Sequence, residues 1–188
     1  MSRHIAELVN AIPGVEEMSL LELGTREGLN FERFACKRKD SVDIRYDPTF
    51  RMTTDAFFEQ NDGRLTYDIV FIDADHHAAQ VMKDFNNAIT IAKRAVFIHD
   101  LFPNRAGYAT ENGSQAGDGY RLMPEFFLQP MFPFVLNTDH GLTMILPPFF
   151  PLLGYRKDLT YVEMVEWWGT RKRYSVEEMK EVIKRRKW

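Results

Sequence analysis

The chain has 188 residues, of which 45% are hydrophobic, a net charge of −3 and one cysteine, Cys36. Such a length buries the core of an ordinary domain, and the near-neutral charge gives no general pull toward nucleic acid or an anionic membrane. A lone cysteine excludes an intramolecular disulfide framework, and neither a bilayer-length apolar run nor a signal-peptide pattern occurs, so a cytosolic protein without membrane or nucleic-acid partners is expected.

Residues 2–12 place Ile5, Leu8, Val9 and Ile12 at helical spacing, and Pro13-Gly14 stops that helix. Strands are expected near 18–23, 41–46, 68–73 and 95–99, with a short one near 49–52. Between and after them come helices near 28–37, 54–61, 78–93 and 118–128. Cys36 follows the apolar positions of the first of these, which predicts a buried thiol. The segment 101–119 is glycine-rich and aperiodic, as lids and binding loops are. Residues 132–138 and 141–147 read as a hairpin joined at Asp139-His140-Gly141. This alternation predicts an α/β fold: a Rossmann-like, doubly wound, mostly parallel sheet with a C-terminal antiparallel hairpin strand. Residues 1–150 would form that domain and 151–188 a helical extension. In the extension, Val162, Val165 and Trp168 could share a helical face, and Ser175 with Glu178 forms a capping box ahead of Met179, Val182 and Ile183. The closing Lys184-Arg185-Arg186-Lys187 reads as a solvated helix end. The tryptophans Trp167, Trp168 and Trp188 could cover a substrate or mediate homo-oligomerisation.

The most informative stretch is Leu20-Leu-Glu-Leu-Gly-Thr-Arg-Glu-Gly28, an apolar run ending in an acid and two glycines. Gly24 and Gly28 suit positive φ, and their missing side chains let a ligand approach the backbone. A dinucleotide site would read G-x-G-x-x-G, whereas this turn reads G-x-x-x-G, and Glu22 would face a pyrophosphate with negative charge. An acid there suits a cofactor with an ammonium and a sulfonium, such as S-adenosylmethionine. Nineteen residues after Gly24, Asp43 stands where a nucleotide fold places its ribose-binding carboxylate, with Asp47 as the nearby competitor. Tyr67-Asp-Ile-Val-Phe-Ile is an apolar strand whose end is crowded by Asp73, Asp75, His76 and His77. The next strand ends in His99 and Asp100, so two neighbouring strands would aim acids at one crevice.

With these residues together, the chain resembles the class I S-adenosylmethionine-dependent methyltransferases. It is most similar to the small-molecule O-methyltransferase-like group, through Asp73-Ala74-Asp75-His76 and His99-Asp100 at two strand ends. Thr53-Thr54-Asp55-Ala56-Phe57-Phe58 and Asp139-His140-Gly141-Leu142 extend the resemblance, which covers roughly residues 18 to 147. Ala74 stands where the group usually has glycine, and Thr25-Arg26-Glu27 where small residues are common.

The resemblance implies an enzyme that moves a methyl group from S-adenosylmethionine to a small-molecule acceptor, with a hydroxyl as the expected nucleophile. Glu22, Gly24, Thr25, Gly28, Asp43, Thr54 and Asp73 would bind the cofactor. An alcohol ionises little near neutrality, so its proton needs an acceptor. His76, or else His77, could be the base, oriented by Asp73 or Asp75; alternatively Asp73, His99 and Asp100 could hold a divalent cation such as magnesium. Imidazole suits a softer metal better, which leaves His99 as ligand or as supporting group. A non-catalytic cofactor-binding protein and another nucleotide-binding Rossmann-like enzyme are the rival functions.

Overall fold

A computed structural model describes residues 4–128, 134–136, 140–169 and 171–186. Seven strands form one sheet: β1 (Ser19–Leu23), β2 (Arg38–Asp43), β3 (Phe50–Arg51), β4 (Tyr67–Ile72), β5 (Ala92–His99), β6 (Phe134–Leu136) and β7 (Leu142–Ile145). Their spatial order is β3-β2-β1-β4-β5-β7-β6; β7 runs antiparallel to both neighbours, and the pairs from β3 to β5 are parallel. Strand order reverses between β1 and β4, the switch point at which open α/β sheets leave a crevice beyond their carboxyl ends. The expected hairpin strand is therefore present, although Asp139 of its connection lies outside the described residues.

Alternating side chains of β1 and β4 divide between two cores, as a strand buried on both faces requires. Leu21, Leu23, Val70 and Ile72 face α3 (Ala78–Ile91), which contributes Val81, Phe85 and Ala88. The same layer holds α2 (Thr54–Asn61), α4 (Met123–Leu128) and α5 (Tyr161–Gly169) through Phe57, Phe126 and Trp168. Leu20, Ile69 and Phe71 face the other way, toward α1 (His4–Val9) and α6 (Val176–Arg185). The C-terminal segment thus enters both cores: Trp168 packs 5.0 Å from Phe102 between ring centroids, and Met179 and Ile183 are buried. The capping box that starts α6 is formed as expected, with Glu178 N donating to Ser175 Oγ and Ser175 N to the Glu178 carboxylate. In α5 the apolar face differs from expectation. Met164 and Trp168, four apart, are buried, whereas Val162 and Val165 face solvent.

The larger correction concerns the helix expected near 28–37. Only a single 3-10 turn, Phe31–Arg33, forms there. Phe34 already has extended backbone, and Phe34 and Cys36 are inserted under the sheet two residues apart, a strand-like alternation. Asn10 clamps this segment, accepting from Ala35 N and donating to the carbonyl of Arg33. The thiol of Cys36 is buried as expected, and burial pushes its pKa up to about 11. β2 lies three residues earlier than expected, and Asp43 ends it: its Oδ1 accepts from Arg45 N, two residues on, which turns the chain away.

Candidate active site

Register brings the functional residues to one edge. Leu23 pairs with Val42 and with Ile72, and Ile72 with Ile98, so Gly24, Asp43, Asp73 and Asp100 emerge at the carboxyl ends of β1, β2, β4 and β5. Two cavities open there. The first, about 520 Å³, is lined by Gly24, Asp43, Thr54, Asp73 and Asp75 among others, within the size range of small-molecule sites. The second, about 820 Å³, is lined by Asp73, His76, His99 and Asp100, with Arg105, Tyr108 and His140 on its wall. Arg26, Arg45, Asp73, Ala74 and Gly113 line both, so the cavities share a border.

Backbone strain concentrates at these cavities. Among the described residues, the non-glycine residues with positive φ are Arg26, Tyr46, Asp62, Asp100 and Gln115. All but Asp62, which ends α2, line one cavity or the other. Such conformations cost about 1–3 kcal/mol each and persist where the surroundings over-determine them, typically at functional sites. Asp100, at φ 63°, is held by its own amide donating to the Gly141 carbonyl.

Each expected cofactor residue has a definite place. Gly24, Asp43, Thr54 and Asp73 line the first cavity; Glu22, Thr25 and Gly28 do not. Gly24, at φ 85°, is required by packing alone: a Cβ there would stand 2.3 Å from the carbonyl oxygen of Asp73. Gly28 has positive φ but open space around it, so its conformation alone explains it. Asp43 accepts from Arg26 N at 2.8 Å and so fixes the glycine loop, while its competitor Asp47 stands outside both cavities. Glu22 lies underneath, buried, with Oε2 lacking a hydrogen-bond partner; burial, reinforced by the nearby Asp73 charge, pushes its pKa up to about 9. Thr25 is buried beside it.

The acid cluster is tighter than the sequence alone conveys. His76 Nε2 lies 3.5 Å from Asp73 Oδ1 and 3.3 Å from Asp100 Oδ2. His99 Nδ1 lies 3.2 Å from Asp73 Oδ1 and 3.1 Å from Asp100 Oδ1. The other ring nitrogen of His76, Nδ1, sits against the Gln115 carbonyl and must donate to it. Its Nε2 therefore faces two carboxylates. Burial disfavours the imidazolium, but Asp73 and Asp100 outweigh it and raise the His76 pKa. Asp73 shows the converse: burial would raise its carboxyl, and His99 and His76 hold it below the ordinary range. Asp100 is raised, by burial first and then by Asp73. His77 is separate, hydrogen-bonded through Nδ1 to Asp75 at 2.6 Å, and lines the first cavity.

Asp73, His76 and Asp100 can each offer one ligand atom with all three within 4.8 Å of one another. His99 is not part of that set, although its Nδ1 lies nearer to both carboxylates than His76 Nε2 does. The sequence marked every member of the cluster but paired them differently, because the reach of His76 depends on its anchor at Gln115, 39 residues away. Of the opposite wall, Arg105 and Tyr108 carried no local signal beyond the composition of their loop, and His140 was marked only as part of the connection Asp139-His140-Gly141-Leu142.

No family model and no curated protein sequence matches the chain. Solved structures do. The O-methyltransferase of Bacillus cereus in complex with S-adenosylhomocysteine superposes with a TM-score of 0.56 at 14% identity, over 78% of this chain and 82% of that one. A candidate caffeoyl-CoA O-methyltransferase from Staphylococcus aureus gives 0.59 at 17% identity, over 78% and 84%. The O-methyltransferase TomG of Streptomyces achromogenes, involved in tomaymycin synthesis and holding S-adenosylmethionine, gives 0.50 at 15% identity, over 76% and 78%. The chain therefore has the fold of the class I S-adenosylmethionine-dependent O-methyltransferases.

Proposed function

We propose that the protein transfers a methyl group from S-adenosylmethionine to a hydroxyl of a small-molecule acceptor. The observation that carries this reading is the pair of cavities meeting at Asp73 and Ala74: one bounded by the Gly24 turn and Asp43, the other floored by Asp73, His76 and Asp100. Gly24, Asp43, Thr54 and Asp73 would hold the cofactor, with Asp43 placed for ribose hydroxyls. When bound, the cofactor supplies an electrophilic methyl group. The chain's task is alignment, removal of the acceptor proton and exclusion of water. Glu22, Thr25 and Gly28 support the turn from outside the cavity.

His76 is poorly suited to be a free base, since its Nε2 is already claimed by two carboxylates that favour its protonated form. The donor set Asp73, His76 and Asp100, two oxygens and one nitrogen, instead fits a divalent cation, since the three ligand atoms converge within 4.8 Å of one another. Bound there, such a cation would lower the acceptor hydroxyl's pKa. A nitrogen ligand suits manganese, iron or zinc better than magnesium. His99 would orient the two carboxylates. The dinucleotide alternative loses support from the fold, because among the described residues only a 3-10 turn lies between the Gly24 turn and β2, with no α-helix there to present an N-terminus to a pyrophosphate.

Among the described residues no helix is long and apolar enough to cross a membrane. With the lone buried thiol, this is consistent with a cytosolic enzyme whose partner is a small molecule. Incubating the protein with S-adenosylmethionine, manganese and a panel of hydroxylated small molecules tests the reading. It expects S-adenosylhomocysteine to form with at least one acceptor and not without the protein. No turnover with any panel member, in protein that also fails to bind the cofactor, would overturn it.

A further inference from the structure

We propose that the acceptor carries an oxyanion, a carboxylate or a phosphate, and that Arg105 at the wall of the second cavity recognises it. The proposal rests on the methyltransferase reading for the reaction, but Arg105 lines only the second cavity, so the two are separable by experiment. Arg26 and Arg45 border both cavities and are equally placed for a cofactor carboxylate. Arg105 is not.

The surroundings of Arg105 leave its charge available. It is exposed, and among the described residues no carboxylate lies within 4.0 Å of its guanidinium. Arg121, which follows the same loop, is by contrast tied to both Asp118 and Glu111. The contact recorded for Arg105 is with an aromatic ring: its Cζ stands 6.0 Å over Tyr108. Tyr108 in turn meets the ring of His140 at 4.5 Å and 68°, so a cation and two rings line one wall. His140 Nδ1 is buried and has no hydrogen-bond partner.

The charge layout gives the acceptor a direction. Asp73, His76 and Asp100 form the floor at which the acceptor hydroxyl must lose its proton, and Arg105 at the wall attracts an anion, with its planar fork of donors matched to carboxylate or phosphate oxygens. A ligand with a hydroxyl at one end and an oxyanion at the other therefore fits in one orientation, hydroxyl toward the acids. The ring wall between suits a planar body.

Calorimetric titration with matched probes tests this, with and without saturating S-adenosylhomocysteine. The probes are 3,4-dihydroxybenzoate, 3,4-dihydroxyphenylphosphonate and the neutral 3,4-dihydroxybenzamide. At least one anionic probe should bind tenfold or more tightly than the amide, and whichever anion leads identifies carboxylate or phosphate as the natural group. Arg105→Gln should erase the preference and Arg105→Lys should restore part of it, with S-adenosylhomocysteine affinity unchanged in both. Equal binding of acids and amide to the wild type, no binding of any probe, or a preference that survives in Arg105→Gln would overturn the proposal. Charge preference retained in a protein that does not bind S-adenosylhomocysteine would instead overturn the methyltransferase reading and leave Arg105 in its role.

Discussion

Replacing Glu22 by glutamine should make the protein more stable at neutral pH, and the size of the effect follows from its burial. The carboxyl is 2% exposed beneath the Gly24 turn, and burial, with Asp73 and Asp43 adding to it, raises its pKa from 4.5 to about 9. A group whose folded pKa is raised binds more protons in the native state than in the unfolded one, so stability is full below pH 4.5 and falls as pH climbs toward 9. The slope is about 1.4 kcal/mol per pH unit, so between pH 5 and pH 8 this one group should remove about 4 kcal/mol. Glutamine has nearly the same shape and no proton to lose. Urea denaturation of wild type and Glu22→Gln at both pH values isolates the contribution, since every other titrating group cancels in the comparison. The variant's advantage should grow by several kcal/mol from pH 5 to pH 8. Curves that stay parallel within about 1 kcal/mol would mean that Glu22 is not a buried, protonated acid but reaches solvent or a cation.

A second buried acid behaves alike on a smaller scale: Asp84, fully buried in α3, has its pKa pushed up to about 6 by burial, so Asp84→Asn should gain up to about 3 kcal/mol at pH 8 and little at pH 4. Denaturation at the two pH values checks it, and equal gains would contradict it. At the acid cluster, Asp100→Ala should abolish calorimetric manganese binding and His99→Ala should weaken it about 10- to 100-fold; unaltered binding in both would remove the metal reading. In the loop after β5, Asp118 N and Gly119 N both donate to the His76 carbonyl, and Ala78 N donates to Asp118 Oδ1 at 2.6 Å. Hydrogen exchange should therefore find residues 116–119 protected without ligand, and residues 103–114 gaining protection only when cofactor and acceptor are added. Identical exchange with and without ligands would make the segment an ordinary surface loop.

Much of this architecture is legible in the residues because the physics is local. The unbroken apolar run of β4, the capping box at Ser175 and the register of strands ending in acids all follow from periodicity and side-chain chemistry. The segment after Gly28 misleads because Phe31, Phe34 and Ala35 mimic a helical face, while the structure uses Phe34 and Cys36 in extended alternation, pinned by Asn10 just past the end of α1. Val162 and Val165 mislead similarly: their spacing fits a buried face, but the face that is buried runs through Met164 and Trp168, four apart. At the site, the acids could be placed on strand ends from sequence, yet the choice of His76 over His99 as the third ligand depends on Gln115 holding the imidazole. Long-range anchors of this kind leave no periodic trace.

Cofactor binding is measured most directly by calorimetric titration of the purified protein with S-adenosylmethionine, S-adenosylhomocysteine and NAD. Saturable one-to-one binding of the first two, mutually competitive and lost when Asp43 is replaced by alanine, with no heat from NAD, is the predicted result. Folded protein that binds neither S-adenosylmethionine nor S-adenosylhomocysteine, or that binds NAD in their place, would contradict it.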